Sequence, residues 1–264
     1  MQPQISIIMP CYNAESYVSE AIASIQSQTF QEWELLVIDD ASTDNSQSVV
    51  ENLVVNDSRI QLFKNEKNLG AGLSRNVGLD HARGRYLVFF DADDICYPTK
   101  LEKQIHYMQK EQYAFVFGGY DYVSPGGIKV GTFMPTVKRV DYNYLLTDCV
   151  VAIHTVMLDR QKIPVLPRFP NIHRRQDFVF WLELLRKYVQ YGFLFPGSPL
   201  VAYRLREKSL SSNKLGALRS NFIVYRKFEK FSILKSSYIL FRYCINYLRY
   251  RFWVRIKNKL QGYS

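Results

Sequence analysis

Residues 86–94 read "YLVFFDADD", and this stretch decides how the first half of the chain is organised. Tyr86 to Phe90 form an unbroken apolar run of the kind found in buried strands, and the run ends abruptly in Asp91, Asp93 and Asp94. Carboxylates packed this closely repel one another, so at a strand end they are either fully solvated or hold something positive. Working outward, the same alternation of apolar strand and polar turn recurs. "ISIIM" (5–9) is a buried strand expected to stop at Pro10, "WELLVIDD" (33–40) a second that ends at Asp39 and Asp40, and "IQLFKN" (60–65) a short third. Between them lie helical patterns: Tyr17, Val18, Ala21, Ile22 and Ile25 on one face, then a helix to about Asn56 that Ser42, Thr43 or Asp44 can cap, then one from about Gly72 to Ala82. Strands alternating with helices predict βαβ units and an α/β fold with a mostly parallel central sheet. Such sheets bind ligands beyond the carboxyl ends of their strands. Pro10, Asp39 and Asp91 all stand there, so the carboxylates belong to a site.

Further along, the spacing predicts a helix from Pro98 to Glu111, one strand over "YAFVFGGYDYV" (113–123) and a hairpin around Pro125-Gly126-Gly127. "IHTVMLD" (153–159) is a further strand, opened by His154 facing the cleft, and Gln176 to Tyr191 is an amphipathic helix. The division expected is a catalytic domain at 1–203, with a nucleotide-binding half (1–97) and an acceptor half (98–203), followed by a basic helical extension at 204–264.

The chain has 264 residues, 47% of them apolar, which is enough for a proper core and excludes a disordered class. Its four cysteines form no CxxC or Cys/His pair, so no zinc site or disulfide framework is expected and a reducing, cytoplasmic setting is. No signal-peptide pattern opens the chain, and no apolar run is long enough to span a membrane. The net charge of +10 is lopsided. Residues 204–264 hold 15 Lys/Arg against 2 Asp/Glu, leaving 19 against 22 for residues 1–203. A tail this basic meets an anionic partner, either lipid or nucleic acid.

At a strand end, one carboxylate of the "DADD" turn can accept from a ribose hydroxyl while another holds a hard divalent cation such as Mg²⁺ or Mn²⁺. Such a cation neutralises a diphosphate and improves it as a leaving group. An acidic turn that merely caps the next helix has the same pattern. "SIIMPCYNAESYVSEAIASIQSQTFQEWELLVIDDASTDNS", "NLGAGLSRNVGLDHARGRYLVFFDADD" and "RRQDFVFWLELL", in this order and spacing, resemble the family 2 glycosyltransferases of the GT-A fold over about residues 4–212. "YRLREKSLSSNK" and the basic segment after it further resemble bacterial enzymes of surface-polysaccharide assembly, teichuronic-acid types among them.

The resemblance implies a role for each matching residue. Pro10 and Tyr12 match the turn laid against the nucleotide base, Asp39 the acceptor of the base N3–H that favours uracil, and Arg75 a basic residue near the nucleotide. Asp91 and Asp93 match the DxD pair, serving ribose and metal, with Asp94 a further ligand or orienter. Asp177 matches the base that deprotonates the acceptor hydroxyl. Gln176 stands where relatives often carry Glu, and His173, Arg174 and Arg175 just upstream either contact diphosphate or acceptor or form a surface loop. The expected reaction is inverting transfer from a nucleotide sugar, UDP favoured, to a lipid-linked or cell-surface glycan, with Mn²⁺ or Mg²⁺ as cofactor. The glycines Gly70, Gly72 and Gly78 do not fit GxGxxG, which disfavours a dinucleotide oxidoreductase. A nucleotidyltransferase also uses paired aspartates and metal, but "PCYNAESY" offers no phosphate-binding loop. A degenerate, non-catalytic binding module conflicts with the presence of every motif carboxylate.

In the tail, Leu234, Tyr238, Phe241, Ile245, Leu248 and Phe252 recur at helical spacing, with Lys235, Arg242 and Arg249 beside them. Such a stripe is either a face packed on the catalytic domain or an interfacial helix on anionic lipid at the inner face of the plasma membrane. No nucleic-acid module accompanies the charge.

Overall fold

The computed structural model describes residues 2–206 and 214–260, with side chains described at 2–206 and 216–249. Twelve strands and eight α-helices follow one another among these residues. The first half runs β1 (Ile5–Cys11), α1 (Val18–Gln26), β2 (Trp33–Asp39), α2 (Ser46–Asn56), β3 (Ile60–Lys64), α3 (Ala71–His81) and β4 (Tyr86–Phe89). The middle comprises β5 (Ile95–Cys96), α4 (Lys100–Glu111), β6 (Phe115–Phe117), β7 (Tyr120–Val123), β8 (Lys129–Phe133), β9 (Arg139–Val140) and α5 (Tyr142–Thr147). Then come β10 (Met157–Asp159), α6 (Gln176–Lys187), β11 (Gly192–Leu194), β12 (Val201–Arg204), α7 (Lys214–Ile223) and α8 (Ile233–Leu260).

The main sheet has the order β3-β2-β1-β4-β10-β6-β11-β9, and its first four strands are all parallel. β10 enters antiparallel between β4 and β6. Both faces are covered, which is why these strands read as continuous apolar runs rather than alternating ones. Ile8, Leu36, Ile38, Leu87 and Phe89 point into one core with Phe178, Phe180 and Trp181 of α6. Ile7, Met9, Leu35, Val37, Val88 and Phe90 point into the other with Val18, Ile22, Leu101 and Ile105. From β1 the chain winds outward through β2 and β3, then returns to the opposite side of β1 as β4. That reversal opens a crevice at the carboxyl ends of β1 and β4, the place where open α/β sheets bind ligands. Gly78 lets α3 lie close over it, since a Cβ there would stand 2.4 Å from Ile8 Cγ2.

Several expectations are corrected. β1 runs through Pro10 to Cys11: β4 pairs with it only as far as Ile8, so a residue lacking an N–H is tolerated beyond that point. The single strand expected over 113–123 is two strands in two different sheets, because the chain bends at Gly118-Gly119. A Cβ on Gly119 would fall 2.0 Å from Met134 Sδ, so the bend is closed to any larger residue. His154 does not open a strand but sits in a 3₁₀ turn (Ile153–Thr155), with β10 starting at Met157. The hairpin around Gly126-Gly127 forms between β7 and β8, within a second sheet of order β5-β12-β7-β8. The last seven residues of the "YRLREKSLSSNK" segment other than Lys214, 207–213, lie outside the described residues.

The tail helix carries two apolar faces. Ser236 and Ile239 are buried, and Leu240 packs against the core that α6 fills. On the opposite side Leu234, Tyr238, Phe241 and Leu248 are 84%, 60%, 63% and 63% exposed. The stripe read from the sequence is therefore the outward face, and a different set of residues holds the helix to the body. Phe252 of that stripe lies outside the described side chains.

Candidate active site

Two turns at neighbouring strand ends are laced together before any ligand arrives. Asn13 donates its backbone N–H to Ser42 Oγ (3.1 Å), while Thr43 N–H donates to Asn13 Oδ1 (2.8 Å). Asn13 and Ala41 both adopt left-handed backbone (φ 47° and 58°), which turns the chain sharply after β1 and β2. Tyr12, between the end of β1 and this lacing, is half exposed at 47%. Asp44, one of the expected caps, accepts from Ser46 N–H at 2.9 Å.

Asp39 and Asp40 then divide in role. Asp40 is consumed by structure: it accepts from Leu69 N–H (2.9 Å), Gly70 N–H (2.8 Å) and Asn65 Nδ2 (2.8 Å), tying β2 to the start of α3. Gly70, at φ 85°, supplies the backbone turn that this clasp requires. Asp39 accepts only a 3.2 Å bond from Ser42 N–H through Oδ2, and its Oδ1 is buried with no donor. A buried carboxylate oxygen without a donor is costly and marks a place where a ligand N–H is expected.

Arg75, on α3, is buried and pairs with Asp91 at 2.5 Å, so it is no solvated surface charge. Asp93 pairs with Arg206 at 2.6 Å. Burial and the neighbouring Asp91 charge push the Asp93 carboxyl above the usual carboxylate range. Asp94 is fully buried; its Oδ1 accepts from Arg204 N–H (3.0 Å), and its Oδ2 lies 3.2 Å from His154 Nδ1, too poorly aligned for a hydrogen bond. Burial pushes the Asp94 carboxyl well above the usual carboxylate range and the His154 imidazole down to about 4. The His154 ring is held between Tyr203, stacked at 5.3 Å, and Tyr120, edge-on at 4.9 Å.

Arg204 and Arg206 are the residues that sequence reasoning missed as site components. Arg204 donates to Asp93 O (2.9 Å) and Pro125 O (2.6 Å) and pairs with Glu20 (2.6 Å), clamping β12 onto the acidic turn. Their signal is the "YRLR" at the start of the basic segment, which by sequence carries a family resemblance and charge but names no site role. The packing also crosses the boundary expected at 203.

Asp177 occupies the first turn of α6, and among the described residues its carboxylate accepts no hydrogen bond. α6 begins beside α3: a Cβ on Gly72 would stand 3.1 Å from Gln176. One short helix thus carries Arg75 to Asp91 on one turn and meets the start of α6 on another. His154 is brought to Asp94, whereas Arg175 points to the tail helix, donating to Tyr243 Oη at 3.2 Å.

Residues 6–154 match the sequence profile of glycosyl transferase family 2. The chain belongs to that family. It is 34% identical over 251 residues, 95% of this chain and 98% of the relative, to the putative teichuronic acid biosynthesis glycosyltransferase TuaG of Bacillus subtilis. It is 38% identical over 240 residues, 89% and 90% of the two chains, to WfgD of Escherichia coli, a UDP-Glc:alpha-D-GlcNAc-diphosphoundecaprenol beta-1,3-glucosyltransferase. Residues 1–349 of S. aureus TarS, solved with UDP-GlcNAc, superpose with a TM-score of 0.67 at 21% identity, covering 91% of this chain and 71% of that one. The mannosyltransferase PcManGT of Pyrobaculum calidifontis, solved with GDP-Man and Mn²⁺, superposes at 0.65 with 17% identity over 91% and 70%. These superpositions establish the GT-A-like fold of this family 2 glycosyltransferase.

The residues of the glycosyltransferase fit a divalent cation. One ligand atom each from Asp91, Asp94 and His154 lie within 4.8 Å of one another, and Asp94 Oδ2 is buried without a hydrogen bond. Two carboxylate oxygens at such spacing suit a hard cation, and a buried carboxylate short of donors is stabilised by one. Among its described residues no helix is long and apolar enough to cross a membrane.

Proposed function

We propose that this inverting glycosyltransferase moves a sugar from a UDP-sugar to a lipid-linked glycan at the inner face of the plasma membrane. The observation that carries the uridine reading is the buried, donor-free Oδ1 of Asp39. The N3–H of uracil would satisfy it, while Tyr12 and the Pro10 turn cover the ring. Cytosine has no N3–H and presents an acceptor at that ring position, which would face the carboxylate oxygen.

The reaction follows from the arrangement of the chain's own groups. Asp91 receives the ribose, and Arg75 beside it brings a guanidinium to the diphosphate side of the crevice. Asp91, Asp93 and the Asp94–His154 pair would hold Mn²⁺ or Mg²⁺. When bound, that cation neutralises the diphosphate and improves UDP as a leaving group. Asp177, in the first turn of α6 and without a hydrogen bond among the described residues, takes the proton from the acceptor hydroxyl as its oxygen attacks the anomeric carbon. Attack from the face opposite the diphosphate inverts the anomeric configuration in one displacement.

WfgD, a diphosphoundecaprenol-linked GlcNAc glucosyltransferase, and TuaG, a putative teichuronic acid biosynthesis enzyme, support a lipid-linked or surface-glycan acceptor. The outward stripe of α8 supports a membrane partner, since Lys235, Arg242 and Arg249 flank its exposed apolar residues. Each such cation near an anionic surface contributes about 1 kcal/mol, and the apolar stripe adds a part insensitive to salt. Replacing Leu234, Phe241 and Leu248 together by Glu leaves the packed face untouched. The triple variant is expected to lose sedimentation with anionic vesicles while keeping turnover on a soluble acceptor; co-sedimentation equal to wild type would remove the stripe from any membrane role.

Calorimetry with UDP, CDP and GDP tests the donor. UDP is expected to bind best, and Asp39→Ala to weaken it by about 1–3 kcal/mol, the cost of an unmade buried hydrogen bond. An unaltered dissociation constant would take Asp39 out of the base site.

A further inference from the structure

We infer that Tyr243, on the C-terminal helix, is a positioning residue for transfer: through Arg175 it holds the first turn of α6, and with it Asp177, at the donor site. The inference rests on the proposal that Asp177 is the base.

Arg175 stands two residues before Asp177 and adopts left-handed backbone at φ 66°. A residue with a long side chain keeps that conformation only where its surroundings over-determine it. Its carbonyl accepts from Val179 N–H at 3.0 Å, so the strained residue is also the one from which α6 is launched. Its guanidinium donates to Tyr243 Oη at 3.2 Å, and the Asp177 charge is among the causes that raise its pKa.

Tyr243 is itself fixed from behind. It lies on the packed side of α8 with Ser236, Ile239 and Leu240, and one turn on Asn246 Nδ2 donates to Thr147 O at 3.2 Å, anchoring α8 to the end of α5. From the opposite side Gln176 abuts Gly72 of α3. The start of α6 is thus wedged between the helix that carries Arg75 and the helix that carries Tyr243. Small displacements of a catalytic group at such a point cost turnover steeply while leaving donor binding alone.

The test uses the full chain, with UDP-glucose as donor probe and an alkyl-diphosphate-linked GlcNAc as acceptor probe. Tyr243→Phe removes only the hydroxyl and is expected to lower kcat about tenfold, with the UDP dissociation constant and Tm unchanged. Arg175→Gly permits the left-handed backbone but removes the guanidinium, and the double variant is expected to be no slower than the slower single one. A wild-type kcat for Tyr243→Phe, or additive losses in the double variant, would overturn the inference. So would a parallel fall in Tm and UDP affinity, which would mark the hydroxyl as general support. Asp177→Asn separates the two failures: if that variant turns over normally the base assignment fails, and if it is inactive beside a fully active Tyr243→Phe, only the positioning role fails.

Discussion

Replacing Asp177 by Asn is expected to abolish transfer while sparing nearly everything else. Asn is close to isosteric but cannot accept a proton at neutral pH, and general-base assistance is worth about 10²–10⁴ in rate. Asp177 makes no hydrogen bond among the described residues, so the substitution breaks nothing in the fold and Tm should hold. UDP binding should hold as well, because the proposed nucleotide contacts lie at Asp39, Arg75 and Asp91. The measurement is single-turnover transfer beside calorimetry on the same preparation. A rate within a factor of about three of wild type would rule Asp177 out, since a base that contributes less than that is not acting in the transition state.

The second large effect is expected at the acidic turn. Asp93→Ala should reduce metal-dependent UDP binding by at least about 100-fold, the scale on which metal-site residues act. The structure makes the comparison sharper than the sequence could, because Asp93 is paired with Arg206 at 2.6 Å whereas Asp91, Asp94 and His154 present ligand atoms within 4.8 Å of one another. Titration of Mn²⁺, followed by electron paramagnetic resonance with UDP present, should therefore be run on both Asp93→Ala and His154→Gln. Loss of the bound-Mn²⁺ signal in Asp93→Ala supports the assignment of that carboxylate. Retention there with loss in His154→Gln would transfer the ligand role to the buried trio. UDP binding that responds to neither EDTA nor substitution would remove the metal from the site.

Local pattern was enough for the alternating strands and helices of the first ninety residues and for the sheet edge at which their carboxylates gather. The runs at 5–9, 33–39, 60–64 and 86–89 had to be buried strands, since nothing else hides so many apolar side chains in so few residues. Helical spacing between them made the sheet parallel, and parallel sheets place their loops, and so Pro10, Tyr12, Asp39 and Asp91, along one edge. The helix at Asp177 was equally plain, because α6 buries seven of its twelve residues and shows it in its periodicity.

What the tertiary structure decided were questions of partner, because a residue type states what it can bind and not what stands opposite. Asp39 and Asp40 are the same residue side by side, yet one is spent on Leu69, Gly70 and Asn65 while the other keeps a buried oxygen free. Arg75 matches a basic residue near the nucleotide and Arg206 lies in a merely basic segment, but only packing brings them, over sequence separations of 16 and more than 100 residues, onto Asp91 and Asp93. Gly118-Gly119 broke an apparently continuous strand because Met134 leaves no room for a side chain there. The amphipathic stripe of α8 was legible in the sequence, but periodicity reports only that a face is apolar. That the helix is held by a second face, leaving the stripe to solvent and Tyr243 against Arg175, depends on what α5 and α6 present to it, which no local spacing encodes.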